Sequence, residues 1–199
     1  MFSKILNKFR NTFRPNNTDQ KLQETNWTVS AYGRQLTASE IAAGEHRAFV
    51  GVLWKEIGQL QFEFMQTQGL KPEHKFVDIG CGAMRGGLHF VRYLNKGIYF
   101  DFDTNASLID AANLELNSLG LLSKLPILLV NDKFELSLFI TKFDYAIAVS
   151  VFAHLFSNNI IRCLVEVNKV LNPNGRFYAT FSNHQTLPTL IQFATPPAR

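Results

Sequence analysis

The central part of the chain alternates short apolar runs with stretches of helical periodicity. The apolar runs, four to eight residues long, stand at 76–79, 97–102, 126–130, 143–150 and 176–181. Such runs are typical of strands that are buried on both faces of a sheet. Helical spacing follows the first run at 87–94 and precedes the last run at 164–171. This order predicts an α/β fold with a doubly wound, mostly parallel sheet and flanking helices.

A capping signal precedes the first predicted strand. Thr37 and Glu40 are three residues apart, a spacing at which each side chain can cap the backbone N–H of the other. Apolar residues continue at helical spacing through Phe49, Leu53, Ile57, Leu60 and Phe64. We therefore predict one helix that starts near Thr37 and is closed by Gly69 and Pro72.

A glycine-rich loop directly follows the first strand, and its spacing narrows the choice of ligand. Gly80 and Gly82 allow close approach of a ligand to the backbone, and the next helix would aim free N–H groups at it. A dinucleotide-binding loop requires a third glycine where this chain has Arg85. No Gly-Lys-Ser or Gly-Lys-Thr follows the strand, so a Walker loop is excluded as well.

Asp78 stands two residues before this Gly-x-Gly, and the combination resembles motif I of class I S-adenosylmethionine-dependent methyltransferases. The resemblance implies a Rossmann-like sheet, methyl transfer, and a loop of Gly80, Cys81 and Gly82 that passes beside the methionine part of the cofactor. Asp78 would hold the cationic amino group of the cofactor. The family often has a third glycine where this chain has Met84; the following two glycines would compensate.

Two further acids follow predicted strands. Asp103 stands at the end of the second strand, where a carboxylate can accept hydrogen bonds from both ribose hydroxyls. Asp101 fills a position that is usually glycine in the family, and we favour Asp103 as the ribose ligand. Asp132 follows the third strand, where the family uses an acid to receive the adenine amino group. The alternative for Asp103 and Asp132 is a solvated turn residue.

The fourth strand opens with the Phe143-Asp144 pair that these enzymes commonly carry, and the resemblance as a whole covers slightly over half of the chain. Ser150, at the end of this strand, is expected to contact the cofactor or substrate, or simply to end the strand. His154 is the candidate general base because an imidazole titrates in the right range. A structural histidine in this turn is the alternative.

The helical segment before the core would form a lid near the cofactor. Five of its residues could contribute a direct contact, and otherwise serve as packing residues or solvated charges: Glu45, His46, Arg47, Trp54 and Glu56.

Composition is consistent with one core domain. The chain has 199 residues, of which 46% are hydrophobic, and no apolar run approaches the roughly 20 residues that cross a bilayer. Two cysteines and five scattered histidines form neither a disulfide framework nor a metal motif, so we predict no metal and a cytoplasmic location. The predicted divisions are a leader at 1–21, a helical lid segment at 22–72, a cofactor-binding core at 73–185 and a tail at 186–199.

The leader contains the entire formal charge excess. Residues 1–21 contain five basic residues against Asp19 alone, and the net charge of the chain is +4. Aromatic and aliphatic residues three or four apart give a helix here an apolar stripe: Phe2, Leu6, Phe9 and Phe13. This segment could contact an anionic membrane surface or a protein partner. Because the rest of the chain is neutral, nucleic acid is an unlikely partner.

Only 17 residues follow Ser182, whereas the family fold has two further strands after the fifth. We expect a short helix at 186–193 and a sheet that stops at five strands. The leading hypothesis is methyl transfer to a small-molecule acceptor, and the alternative is a non-catalytic module that binds the cofactor or a partner. A nicotinamide reductase is disfavoured by the missing third glycine.

Overall fold

A computed structural model describes residues 33–181 and 189–194 of the chain. Three helices precede the sheet: α1 (Ala38–Ala42), α2 (Glu45–Phe49) and α3 (Trp54–Thr67). The predictions for the leader at 1–21 fall outside the described residues. No helix in the described ranges is long and apolar enough to cross a membrane.

Strands and helices then alternate. The strands are β1 (Phe76–Ile79), β2 (Tyr99–Asp103), β3 (Ile127–Val130), β4 (Phe143–Ala148), β5 (Leu171–Phe181) and β6 (Thr189–Ala194). The helices between them are α4 (Gly87–Tyr93), α5 (Ala106–Ser118) and α6 (Ser157–Val170). The strand order is β3-β2-β1-β4-β5-β6, in which the first five strands are parallel and β6 pairs antiparallel with β5. The predicted doubly wound α/β class is confirmed.

Both faces of the central strands are buried, which explains their continuous apolar runs. In β1, Phe76 belongs to a core cluster under α3, α4 and α5, whereas Val77 and Ile79 belong to a cluster under α6. In β2, Tyr99 and Phe100 divide between the two clusters in the same way. The sheet is therefore the middle layer of three.

Two predictions at the C-terminal side are wrong. The sheet has six strands instead of five, and residues 189–194 form strand β6 where a helix was expected over 186–193. The pairing of β6 runs from Thr189 opposite Phe181 to Ala194 opposite Arg176. An edge strand of this kind is stabilised by its ladder to β5, a non-local interaction that local sequence preference does not reveal.

The prediction of a single helix before the sheet is also wrong, because two breaks divide this segment into three helices. Gly44 (φ 82°) separates α1 from α2, and Gly51 (φ 114°) with Leu53 (φ 59°) separates α2 from α3. These left-handed conformations end an α-helix. The capping box is confirmed, since the Thr37 side chain accepts from the Glu40 N–H and Glu40 accepts from the Thr37 N–H.

Candidate active site

A cavity of about 290 Å³ opens at the carboxyl ends of the parallel strands. Its walls come from the loops after β1 and β4, the end of β2 and the turn after β3, together with residues of the N-terminal helical segment. The strand order changes direction between β1 and β4, and ligands of open α/β sheets bind at such a switch point.

The glycine loop presents its backbone to this cavity. Gly80 (φ 70°) and Gly82 (φ 56°) adopt left-handed conformations. A Cβ atom at Gly80 would lie 2.6 Å from Cγ2 of Val151, and one at Gly82 would lie 3.1 Å from Cγ1 of Val50. Gly80 therefore requires glycine for conformation and for space, and Gly82 requires it for conformation. Cys81, between them, also lines the cavity, and burial raises the pKa of its thiol well above the usual range.

Met84 accommodates the left-handed conformation without a third glycine. Its φ is 71°, its side chain is wholly buried, and its sulfur accepts the hydroxyl of Tyr99 at 3.4 Å. Gly87 makes room for this packing, because a Cβ there would lie 2.5 Å from both the sulfur and the hydroxyl oxygen. The packing beneath the loop thus accommodates Met84 where the family often has glycine.

Asp78 is 6% exposed and lines the cavity. Its Oδ2 accepts the hydroxyl of Tyr99 at 3.2 Å. Burial raises the pKa of Asp78 to about 7, and the positive charge of Arg85 acts in the opposite direction. A cationic ligand group in the cavity would lower this pKa and favour the carboxylate.

Asp101 lies opposite Asp78 on β2 but does not line the cavity. It is 0% exposed, and neither carboxylate oxygen has a partner of hydrogen-bond geometry, although the Cys81 thiol and the Tyr99 hydroxyl are near. Burial and the charge of Asp78 raise the pKa of Asp101 well above its usual range. Asp101 therefore belongs to the core beneath the site.

Asp103 is the acid of β2 that lines the cavity. Its Oδ2 accepts the N–H of Gly82 and its Oδ1 accepts the N–H of Asn105, each at 2.9 Å. These bonds fix the carboxylate while leaving lone pairs for further donors. Burial raises the pKa of Asp103, and the backbone hydrogen bonds partly offset that effect.

The structure does not bring Asp132 into the cavity. Its side chain is exposed, whereas the neighbouring Asn131 is buried and its Oδ1 accepts the N–H of Lys133 in a turn. Phe134 supplies the cavity wall in this region. An adenine contact by Asp132 stays a prediction.

Ser150 and His154 line the cavity after β4. Ser150 has a φ of 61°, and its N–H donates to Oγ1 of Thr180 at 2.6 Å. A left-handed serine is sterically strained, and such strain is common at ligand sites. His154 ends a 3-10 turn (Phe152–His154), and burial lowers the pKa of its imidazole below the usual value.

The N-terminal helical segment covers the same cavity. Val50 and Gln61 line it, whereas the five lid residues singled out in the sequence do not. Upstream of the helices, the Leu36 N–H donates to Oγ of Ser107 at 2.8 Å, and the Asn105 side chain donates to the Arg34 carbonyl at 2.8 Å. The segment is therefore hydrogen-bonded to the start of α5, next to Asp103.

An ion-pair cluster around the buried carboxylate of Glu115 joins α2 to α5, with His46 buried and Arg47 half exposed. Oε1 of Glu115 accepts from Nε2 of His46 at 2.7 Å and from Nε of Arg47 at 2.6 Å, and Oε2 accepts from Nη2 of Arg47 at 3.0 Å. Trp54 packs against both basic side chains, with ring centroids 6.1 Å apart for His46 and the Arg47 guanidinium 5.7 Å from the Trp54 ring centroid. Burial alone would raise the pKa of Glu115, but the hydrogen bonds from Arg47 and His46 lower it overall.

Three polar residues of the cavity were not predicted from the sequence: Gln61, Arg85 and Thr104. Gln61 comes from α3, and a Cβ at Gly86 would lie 1.9 Å from its Oε1. Gly86 in the loop and Gly58 in α3 were the signals of this close approach.

Solved structures share this fold. A magnesium protoporphyrin IX methyltransferase from Synechocystis PCC 6803 with bound S-adenosylmethionine is 13% identical, with 92% of this chain and 78% of that chain covered and a TM-score of 0.55. An S-adenosylmethionine-dependent methyltransferase from Clostridium acetobutylicum is 18% identical over 73% of this chain and 57% of that chain, with a TM-score of 0.57. An rRNA methylase from Streptococcus thermophilus is 13% identical over 68% of this chain and 94% of that chain, with a TM-score of 0.54.

These identities establish the fold alone, and the family follows from the sequence. The model of a family described as methyltransferase domain matches residues 77–177, half of the chain, from the second residue of β1 into β5. This range holds the glycine loop and both strand-end acids of the cavity, and domains of this family use S-adenosylmethionine as cofactor. The chain therefore belongs to the methyltransferase-domain family of class I S-adenosylmethionine-dependent methyltransferases, as the resemblance in the sequence predicted.

Proposed function

We propose that the chain binds S-adenosylmethionine in the cavity at the switch point and transfers its methyl group to a small-molecule acceptor. One observation carries this proposal: the glycine loop, Asp78 and Asp103 line a single cavity, although the two acids come from different strands. The donor set suits the cofactor, since it offers one acid toward a cationic group and another toward neighbouring hydroxyls.

The placement of the loop and of the two acids also suits the cofactor. Gly80 and Gly82 both line the cavity, so the loop presents backbone to it at these two positions. Asp78 would hold the amino group of the methionine part, and Asp103, already oriented by two backbone N–H groups, would accept the ribose hydroxyls. Cys81 and Ser150 line the same cavity.

When bound, S-adenosylmethionine supplies a methyl group activated on a sulfonium. The chain then needs chiefly to align an acceptor and exclude water, and alignment of this kind can lower a barrier by up to roughly 7 to 11 kcal/mol. His154 is the proposed base for an acceptor that is protonated at working pH. The lowered pKa of His154 leaves its imidazole neutral, and so able to take a proton, at neutral pH.

Charge favours a small acceptor over nucleic acid. Residues 33–181 contain 14 lysines and arginines and 14 acids, which gives no basic excess for a phosphate backbone. Some proteins of the same fold are described as acting on rRNA, so RNA belongs in the acceptor screen.

Calorimetric titration of the 199-residue chain with S-adenosylmethionine, S-adenosylhomocysteine and NADH tests the proposal. We expect micromolar binding of the first two ligands and none of NADH. Asp103→Ala should weaken binding of both by about 1–3 kcal/mol, because charge-assisted hydrogen bonds to the ribose are lost. Asp110→Ala, an exposed site on α5, is the matched control and should bind like the wild type.

A folded wild-type chain that binds neither S-adenosyl ligand would refute the proposal. Binding without turnover on any acceptor in a broad screen would instead favour the non-catalytic module. The cytoplasm remains the proposed location, consistent with two buried, unpaired thiols, Cys81 and Cys163.

A further inference from the structure

The cavity contains a cation that the motif does not explain. Arg85 lies in the glycine loop between β1 and α4 and lines the cavity. Among the lysines and arginines of the described residues, it alone does so. Its Nη1 donates to the carbonyl oxygen of Val50, in the α2–α3 link, at 3.2 Å.

The N-terminal segment packs against Arg85 at two glycines. A Cβ at Gly58 would lie 2.2 Å from the Arg85 carbonyl oxygen, so α3 and the loop are in direct backbone contact. A Cβ at Gly51 would lie 3.2 Å from Nη1, so the guanidinium lies beside the α2–α3 link.

The methionine part of the cofactor is a zwitterion, with an ammonium and a carboxylate on one carbon. Asp78 offers the ammonium a partner, but a cavity with Asp78 and Asp103 alone would repel the carboxylate. The positive charge of Arg85 is near enough to Asp78 to lower the pKa of that acid against the larger effect of burial. Asp78 in β1 and Arg85 in the loop after it thus place an acid and a cation in the same cavity.

We infer that Arg85 binds the α-carboxylate of S-adenosylmethionine and so selects the complete amino-acid end of the cofactor. This inference rests on the proposed function. A guanidinium presents five donors in a planar fork whose geometry matches a carboxylate. The cofactor would then be connected through Arg85 to the segment that covers the cavity.

The test compares S-adenosylmethionine with its decarboxylated analogue, which retains the ammonium and the sulfonium. Calorimetry should show that the wild type binds the analogue about 10- to 100-fold more weakly, the usual range for losing charge-assisted hydrogen bonds. Arg85→Met should weaken binding of S-adenosylmethionine by a similar factor and leave binding of the analogue within about threefold. Arg85→Lys should retain part of the discrimination, because the charge persists without the fork.

Arg92→Met is the matched control, since Arg92 is exposed on α4 and outside the cavity. It should keep both affinities. Equal weakening of both ligands by Arg85→Met would mean that Arg85 only supports the loop, and equal wild-type affinity for both would overturn the inference without any variant. In either case binding of S-adenosylmethionine by the wild type still supports the proposed function, whereas binding of neither ligand refutes both.

Discussion

The buried acid Asp101 is the most unusual single residue of the site region. It stands where the family usually has glycine, faces Asp78 across two paired strands and has no partner of hydrogen-bond geometry. A carboxyl group with a raised folded-state pKa is protonated more readily in the folded than in the unfolded chain. The contribution of this protonated carboxyl group to the free energy of unfolding is fully present below about pH 4, the pKa in the unfolded chain. It is lost as the pH rises through the pKa in the folded chain.

Asp101→Asn should remove this loss, because an amide of the same shape does not ionise. We would measure the free energy of unfolding in urea from pH 4 to pH 8. The value for the variant minus that for the wild type should increase with pH, by up to about 1.4 kcal/mol per pH unit. Asp110→Asn, exposed on α5, should show no such gain. A constant difference at every pH would show that the carboxyl of Asp101 does not carry the penalty.

The pKa of His154 with a bound ligand depends on the distance between its imidazole and the sulfur of that ligand. Burial lowers its pKa, and a nearby sulfonium charge would lower it further, whereas the uncharged sulfur of S-adenosylhomocysteine would not. We expect an NMR titration to give a pKa below 6.5 in the free chain, and a lower pKa with S-adenosylmethionine than with S-adenosylhomocysteine. His154→Gln identifies the resonance. The same pKa with both ligands would place His154 away from the transfer position.

At the scale of elements, the parallel strands could be predicted from the sequence because a strand that is buried on both faces is a continuous apolar run. Strand β1 was predicted without error at 76–79, and β2, β3 and β4 were predicted to within two residues at each end. Strand β5 begins at Leu171, five residues before its predicted start. Strand β6 was missed because its stability comes from pairing with β5. The helix breaks at Gly44 and Gly51 were missed because apolar spacing continues across them, although the two glycines were a signal.

The same distinction applies to the site. Asp78, Gly80 and Gly82 were found because they lie within or directly after a recognisable strand, and they share one cavity. Gln61 and Arg85 were missed because their place depends on the contact of α3 with the loop, which involves residues far apart in the sequence. Local chemistry is visible in the sequence, whereas packing between elements is not.

The cluster of His46, Arg47 and Glu115 fastens α2 to α5, and its removal should loosen the N-terminal segment. Glu115→Gln leaves a buried imidazole and a guanidinium without their carboxylate, at a cost of about 1–3 kcal/mol in the free energy of unfolding. Denaturant unfolding measures this loss. Because the folded pKa of Glu115 is lowered, the stabilisation by the cluster in the wild type is present above about pH 4.5 and disappears as the pH falls through the folded pKa.

Asp110→Asn is again the control, as an exposed acid on the same helix. Glu115→Gln should also weaken binding of S-adenosylmethionine, since Val50 and Gln61 reach the cavity from the segment that the cluster holds. If stability fell and the affinity stayed the same, the cluster would serve the fold alone.

At the scale of the whole molecule, the cavity is shared between two parts of the chain that are separate in sequence. The sheet and its loops supply the acids and glycines, and residues 33–67 supply the cover through Val50 and Gln61. A ligand that contacts both parts must stabilise both, because its binding energy is lost when either part opens. Cofactor binding and closure of the N-terminal segment are therefore expected to be coupled.

Hydrogen exchange measured by mass spectrometry tests this coupling directly. With S-adenosylmethionine at about 100 times its Kd, the folded state gains about 2.7 kcal/mol, which corresponds to a rise in Tm of about 5 to 11 °C for a chain of this size. Amides at 48–53 and at 80–87 should slow together, beyond any change in peptides from α6, which lies outside the cavity. Protection of 80–87 without protection of 48–53 would show that the cofactor binds the sheet alone. The Arg85–Val50 contact would then be a feature of packing, because a cofactor held through Arg85 has to slow exchange on both sides of that hydrogen bond.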